Sequence, residues 1–374
     1  MGETCATTLD RAAFGQALAE AARHLDHRRP ALERLGAART VCLYGYGTVA
    51  VMVAPQFQRL GLEVVISDTS EASRARARAA GYTVVEPAEA RRLPMVITAA
   101  QNQLAIRADF PEAFSHAEGL YAFGLPASCA ERAGDYTDGL AEDHDAYYLA
   151  YTLIDPASQA AYLDVLRYRA SLDPAMLAPT KRPLREMWLM PFGQVPIASV
   201  CDGGAYDGDS LEAFAAVCDT ITRALTIEPS PRLAPEVAAV AARLGWELDH
   251  VVGGLWDYET RLREAKTYLG MIRVEPAPDG EIAAFALDDL ARGRTYDLVK
   301  LDIEGSELRA IEGGQRTLAG ARALAIASYH LPEHLAAVPT RIERLLREAA
   351  PERPRRLHFG HYSEIIDDSI LYAW

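Results

Sequence analysis

Three stretches of this 374-residue chain combine acids, glycines and apolar runs in a way that suggests chemistry. The first, residues 200–210, reads Val-Cys-Asp-Gly-Gly-Ala-Tyr-Asp-Gly-Asp-Ser. An apolar run enters a glycine turn, and helix-forming sequence follows. Glycines let a backbone approach a ligand closely, and a helix start offers free N–H groups. A pyrophosphate would suit such a loop, but Asp202, Asp207 and Asp209 would repel it. A ligand with a cationic centre and an amino-acid end fits better. S-adenosylmethionine, with its sulfonium and ammonium, is such a ligand.

The second stretch is Ile227-Glu228-Pro229-Ser230. Glu228 lies 26 residues after Asp202. At the end of the next strand of a doubly wound sheet, an acid there can accept both ribose hydroxyls. Alone, Glu228 would read as a surface acid before a proline-started helix. Paired with the glycine loop, it reads as the ribose acceptor. The third stretch runs from Asp297 through Lys300 and Asp302 to Glu304, Ser306 and Glu307. Lys300 and Asp302 alternate on one side of an apolar strand. Burying charge is costly without a partner, so this run is more than structural. A fourth loop, Gly45-Tyr46-Gly47 with Ala50, matches a dinucleotide fingerprint, and Asp68 falls 21 residues past Gly47. The preferred reading is a degenerate Rossmann-like module that serves packing or substrate binding. Gln101 and Asn102 end a later strand of that module and could line a pocket.

These loops need strands and helices to hold them. Residues 10–36 read as helix with a break at Pro30. Short apolar strands then alternate with helices over residues 37–130, as in a parallel sheet. Residues 140–190 read as helices at 147–154 and 158–168, followed by a proline-marked linker. From 196 the alternation restarts, with strands at 197–201, 224–227, 246–252, 296–301 and 323–327. Residues 259–285 have hairpin character around Asp279-Gly280. A single helix is expected at 306–318, and two last strands at 356–359 and 369–373. The expected division is 1–138, 139–195 (a helical bridge) and 196–374.

The net charge is −14, so a broad phosphate-binding surface is a poor expectation and nucleic acid is not the expected partner. The only lysines are Lys181, Lys266 and Lys300, which fits an arginine-favouring coding bias. No apolar run approaches the ~18 residues of a membrane span, and residues 1–9 lack the pattern of a secretory signal. Cys5, Cys42, Cys129, Cys201 and Cys218 fit neither a zinc site nor a disulfide scaffold, and Cys42 and Cys201 sit in strand-like runs as buried thiols. A cytoplasmic home is expected.

The blocks DGGAYDGDS, IEPS, GGLWD, LDDL, VKLDIEGSELRAIEGG and HFGHYSEIIDDSILYA resemble the FkbM family of S-adenosylmethionine-dependent methyltransferases. The resemblance covers residues 199–374, and KLDIEGSE is its most specific part. It implies an α/β fold, a seven-stranded Rossmann-like methyltransferase sheet, here preceded by a smaller Rossmann-like α/β unit. It also implies O-methylation of a small natural product, sugar or lipid. Asp202, Gly203, Gly204, Tyr206, Asp207 and Ser210 would then hold the methionine half of the cofactor. Glu228, Pro229 and Ser230 would hold the ribose, with Leu255 and Trp256 near adenine.

A hydroxyl acceptor must lose its proton to a base or a metal. Asp302, Glu304 and His330 are the candidates, and together they could hold Mg²⁺. Tyr329 and His361 are expected to meet the substrate, a small or carrier-linked molecule, and a homodimer is compatible with this reading. One rival is an NAD-dependent oxidoreductase or sugar-nucleotide enzyme using the Gly45/Gly47 loop. Another is a binding protein with two worn Rossmann units, against which the intact Asp202, Glu228 and Asp302 set argues.

Overall fold

The computed structural model describes residues 8–126, 134–265 and 273–374, so Cys5, Cys129 and Lys266 lie outside the described residues. The chain begins with α1 (Arg11–Gly36), capped by the Asp10 side chain, which accepts from the Ala13 N–H. Phe14, Leu18, Ala21, Leu25, Leu32 and Leu35 make one buried face. The break expected at Pro30 does not occur. Pro30 is exposed, and the buried leucines before and after it keep the helix in register across the lost hydrogen bond.

A parallel sheet follows: β1 (Thr40–Tyr44), β2 (Glu63–Ser67), β3 (Thr83–Val84) and β4 (Met95–Ile97), in the order β3-β2-β1-β4. Two of its crossover helices are α2 (Thr48–Arg59) and α3 (Glu71–Ala79). Helices Asp135–Glu142, His144–Leu153 and Gln159–Ser171 come next, and the last packs on α1. Two short turns, Pro174–Met176 and Leu184–Glu186, then lead to a seven-stranded sheet.

That sheet contains β5 (Ser199–Gly203), β6 (Arg223–Glu228), β7 (Glu247–Val252), β12 (Leu298–Leu301), β13 (Ala323–Ala327), β14 (Leu357–His361) and β15 (Ser369–Ala373). Its order is β14-β15-β13-β12-β5-β6-β7, and only the β15 pairings are antiparallel. The chain leaves β5 toward β6 on one side and returns to β12 on the other. The carboxyl ends of β5 and β12 therefore flank a topological switch point, where open α/β sheets bind ligands.

Between them in sequence, β8 (Gly254–Trp256), β9 (Thr260–Ala265), β10 (Arg273–Pro276) and β11 (Ile282–Ala286) form a separate four-stranded sheet. The hairpin expected around Asp279-Gly280 does not form: β10 and β11, on either side of that turn, both pair antiparallel with β9 instead of with each other, and β8 extends the sheet from β11. The helix expected at 306–318 is two helices, Glu307–Gly313 and Gln315–Gly320. A Cβ at Gly313 would sit 2.1 Å from the Trp256 carbonyl oxygen, so the chain comes closest to that strand where it breaks.

The two large sheets are stitched by the connection between β14 and β15. The Glu364 N–H donates to the Ala100 carbonyl (2.8 Å), and the Gln103 side-chain amide donates to the Glu364 carbonyl (2.6 Å). The Gln101 amide donates to the Tyr362 carbonyl at 3.1 Å. Lys181 pairs with the Glu364 carboxylate at 2.8 Å.

Candidate cofactor and acceptor site

A cavity of about 550 Å³ opens at the carboxyl ends of β5, β6 and β12. Strand β5 ends at Asp202 and Gly203, behind the cavity wall. Gly204 follows at φ +77°, and a Cβ there would lie 1.8 Å from the Asp302 carbonyl oxygen. Only glycine fits that crossing of two loops. Gly208, also left-handed, starts helix Asp209–Ala215.

Asp202 is fully buried and does not line the cavity. Its Oδ1 accepts from Lys300 Nζ at 2.8 Å, and its Oδ2 accepts from the Ser210 hydroxyl. Lys300 Nζ also donates to the Gly204 carbonyl at 2.9 Å and sits 5.0 Å from the centre of the Trp188 ring. Lys300 thus stands between Asp202 and the cavity, and its side chain lines the wall. Burial would lower its ammonium, but Asp202, Asp302 and Asp209 more than offset this and raise it above its ordinary value. Asp207 accepts from the Asp209 N–H at 3.2 Å and is not on the wall. Asp209 is, with its carboxyl raised by burial.

Glu228 ends β6 with both oxygens in use: Oε2 accepts from the Tyr206 N–H (3.0 Å) and Oε1 from the Ser230 N–H (2.9 Å). Each oxygen keeps a second lone pair. Glu228, Pro229, Gly204 and Tyr206 line the cavity, whereas Gly203, Ser210 and Ser230 shape it from behind. Leu255 lines it as well, beside Ile227, Leu262 and Ile282. Trp256 lies off the wall, with the Arg309 guanidinium over its ring.

At the other end, Asp302, Ile303 and Glu304 leave β12 along the cavity. Asp302 Oδ1 accepts from the Tyr329 hydroxyl at 3.2 Å. His330, fully buried after β13, places Nδ1 2.8 Å from Glu307 Oε1. Its Nε2 lies 3.5 Å from Asp302 Oδ1 and 3.6 Å from Glu304 Oε2. Burial alone would depress its imidazolium, but Glu307 and Glu304 lift it to about 10. The same contact overcomes burial at Glu307, whose carboxyl falls to about 2.

A ring that these carboxylates hold in its protonated form donates a proton and does not take one, so the arrangement favours another group as the base. Glu304, held at φ +53°, is lifted to about 7 by partial desolvation and by Asp302, Glu307 and Asp367, against the pull of His330. His361 ends β14, its Nδ1 2.9 Å from the Ser369 hydroxyl, and burial depresses it to about 3. Neither His361 nor Tyr329 lines the cavity.

Asp302, Glu307 and His330 place one ligand-capable atom each within 4.8 Å of one another. Glu307 stands in this set where Glu304 was expected, and the set does not suit Mg²⁺, which wants oxygen ligands and keeps several waters. Glu307 already holds the Ile303 and Gly305 N–H groups at 2.9 and 3.1 Å, and the protonated ring supplies the local positive charge.

Several wall residues were not foreseen as site residues, among them four from outside residues 199–374. Thr48 and Met52 come from the first turns of α2, and Met187 and Trp188 from the stretch before β5. The fingerprint loop before α2 thus brings its helix to this cavity. Its Asp68 is bonded to its own backbone: Oδ2 accepts from the Tyr46 N–H and Oδ1 from the Ser70 N–H, both at 2.7 Å.

Residues 202–350 match the family model of the methyltransferase FkbM domain. The structure is similar to that of a methyltransferase FkbM from Methylobacillus flagellatus KT. The two share 17% identity over 98% of this chain and 100% of that one, with a TM-score of 0.70. That match shows the fold of the described residues, the N-terminal sheet included. Lesser similarity extends to a precorrin-6y C5,15-methyltransferase from Geobacter metallireducens GS-15 (13% identity, 50% of this chain and 84% of that chain, TM-score 0.31). It extends also to the O-methyltransferase TomG from Streptomyces achromogenes, solved with its cofactor (14% identity, 61% and 88%, TM-score 0.30). No curated protein matches the chain. No helix among the described residues is long and apolar enough to cross a membrane.

Proposed function

We propose that this S-adenosylmethionine-dependent methyltransferase acts on a hydroxyl of a small molecule, sugar or carrier-linked natural-product intermediate, in the cytoplasm. We assign the methyl transfer to residues 196–374, with 139–195 as the bridge and 1–138 helping to enclose the acceptor. The observation that carries the reading is the cavity wall itself. Asp209, Glu228, Asp302 and Glu304 face a ligand that bears two cationic centres, and Gly204 gives it a close backbone approach.

Bound S-adenosylmethionine supplies an electrophilic methyl group on its sulfonium. Glu228 accepts the ribose hydroxyls through its unused lone pairs, while its bonds to the Tyr206 and Ser230 N–H groups hold it still. Leu255, Ile227 and Leu262 cover the adenine and exclude water. Asp209 faces the cofactor's ammonium. Glu304, lifted to about 7, takes the acceptor's hydroxyl proton near neutral pH. Asp302, oriented by Tyr329, holds the hydroxyl in line. The buried His330 imidazolium keeps Asp302 and Glu304 close together despite their like charge.

Calorimetric titration with S-adenosylmethionine tests the reading. Saturable binding that weakens in Glu228→Ala is expected, and no heat at millimolar cofactor would sink it. Turnover that persists in Glu304→Gln would remove Glu304 as the base.

A further inference from the structure

We infer that Lys300 is the residue that receives the carboxylate of the cofactor's methionine end. The inference rests on the methyltransferase reading above and adds to it the group that recognises the amino-acid tail.

The first ground is charge complementarity. Among the residues that line the cavity, four are acids and one is a cation, Lys300. S-adenosylmethionine carries two cationic centres and one carboxylate. Its cations have several acidic partners to choose from, whereas its carboxylate has a single charged partner on that wall. A carboxylate left facing only acids in a partly closed cavity would cost affinity.

The second ground is donor accounting. An ammonium has three N–H donors. Lys300 spends one on Asp202 Oδ1 at 2.8 Å and one on the Gly204 carbonyl at 2.9 Å. The third remains for a ligand. Trp188, whose ring centre is 5.0 Å from Nζ, and Gly204 both line the cavity, so the ammonium lies between two pieces of its wall.

The third ground is rigidity. The Lys300 side chain is 3% exposed, and Asp202 is itself held by the Ser210 hydroxyl. A cation fixed by an ion pair on its far side meets a carboxylate without losing much side-chain freedom. Asp202 is then a positioning residue that acts through Lys300. This accounts for a fully buried acid in the glycine loop that does not touch the cavity.

The test uses two ligands that differ only in this group, S-adenosylmethionine and its decarboxylated analogue, titrated into the full chain. A charge-assisted hydrogen bond predicts a wild-type preference for the carboxylate form of about tenfold to a hundredfold. Lys300→Met alone would leave Asp202 buried and unpaired, so the variant to use is Lys300→Met with Asp202→Asn. The preference should collapse to about one in that double variant, through weaker binding of S-adenosylmethionine alone. Lys300→Arg should retain part of it.

Equal affinity of the wild type for both ligands overturns the assignment even if no variant folds. A preference that survives in the double variant also overturns it, as does an equal loss of both ligands. If neither ligand binds the wild type, the methyltransferase reading itself fails, and that outcome is distinct from the others.

Discussion

The chain builds one hydrogen-bond figure twice. In the N-terminal sheet, Asp68 after β2 accepts from Tyr46 of the glycine loop and from Ser70 two residues on. In the C-terminal sheet, Glu228 at the end of β6 accepts from Tyr206 of the glycine loop and from Ser230 two residues on. The surroundings separate the two. Around Asp68, the Arg74 guanidinium caps its carbonyl at 2.7 Å and Arg76 reaches the Tyr46 carbonyl at 3.2 Å. The Tyr46 ring is buried, at 5% exposure, whereas Tyr206 stands 60% exposed beside an open cavity. The shared figure holds a loop on a strand. What adds ligand chemistry in the second copy is the open wall and the charges that β12 brings to it.

Four experiments would break or sharpen that contrast. The largest effect should come from the glycines at the two loops. Gly204→Ala forces a Cβ to within 1.8 Å of a backbone oxygen, at positive φ, and should cost about 3 kcal/mol or more in urea unfolding. Gly45→Ala, also at positive φ but with its nearest neighbour the Ala99 methyl at 3.3 Å, should cost about 1–2 kcal/mol. Equal costs would mean that the two loops are equally tight.

Next are the two acids. Glu228→Ala should weaken S-adenosylmethionine binding on the order of a hundredfold, since two hydrogen bonds to a charged group are lost. Asp68→Ala should leave that affinity within about twofold and show only as a stability loss of about 1–2 kcal/mol. Saturable NAD binding that Asp68→Ala abolishes would make the first loop a ligand site and end the contrast.

The third experiment concerns pH. His361, depressed to about 3 from an ordinary 6.5, is protonated first in the unfolded chain, so stability falls as pH drops below about 6.5. His330, raised to about 10, contributes stability that is complete below about 6.5 and lost as pH rises through 10. Melting temperature should therefore fall on both sides of a maximum near pH 6.5, and His361→Asn should lessen the acid-side fall, to which the buried His116 also contributes, while leaving the alkaline side unchanged. An unchanged acid side would show that His361 is solvated. The smallest effect is expected for Arg76→Ala, within about 0.5 kcal/mol, because its guanidinium is exposed.

Much of this was readable in the chain. The strand-glycine-helix order, the Asp202 to Glu228 spacing and the alternation of Lys300 with Asp302 are local patterns, and the structure places all of them at one sheet edge. What was not readable depends on segments far apart in sequence. Thr48, Met52, Met187 and Trp188 reach the cavity only through tertiary packing. The protonation of His330 depends on Glu307, 23 residues away. The direction in which Asp202 turns depends on Lys300, 98 residues away. The unbroken α1 shows buried leucines outweighing a proline that local propensity would make a stop.

The seam at Glu364 has a kinetic meaning. Its bonds to Ala100, Gln103 and Leu104 close chain separations of more than 250 residues. Contacts of such range are reached late in folding, because the intervening chain must order first. The connection they hold runs on to Asp367 and Asp368, whose charges bear on Glu304 and Asp302. A transient opening at Glu364, of the kind that amide exchange detects, would therefore loosen the acceptor end of the cavity while leaving the ribose end intact.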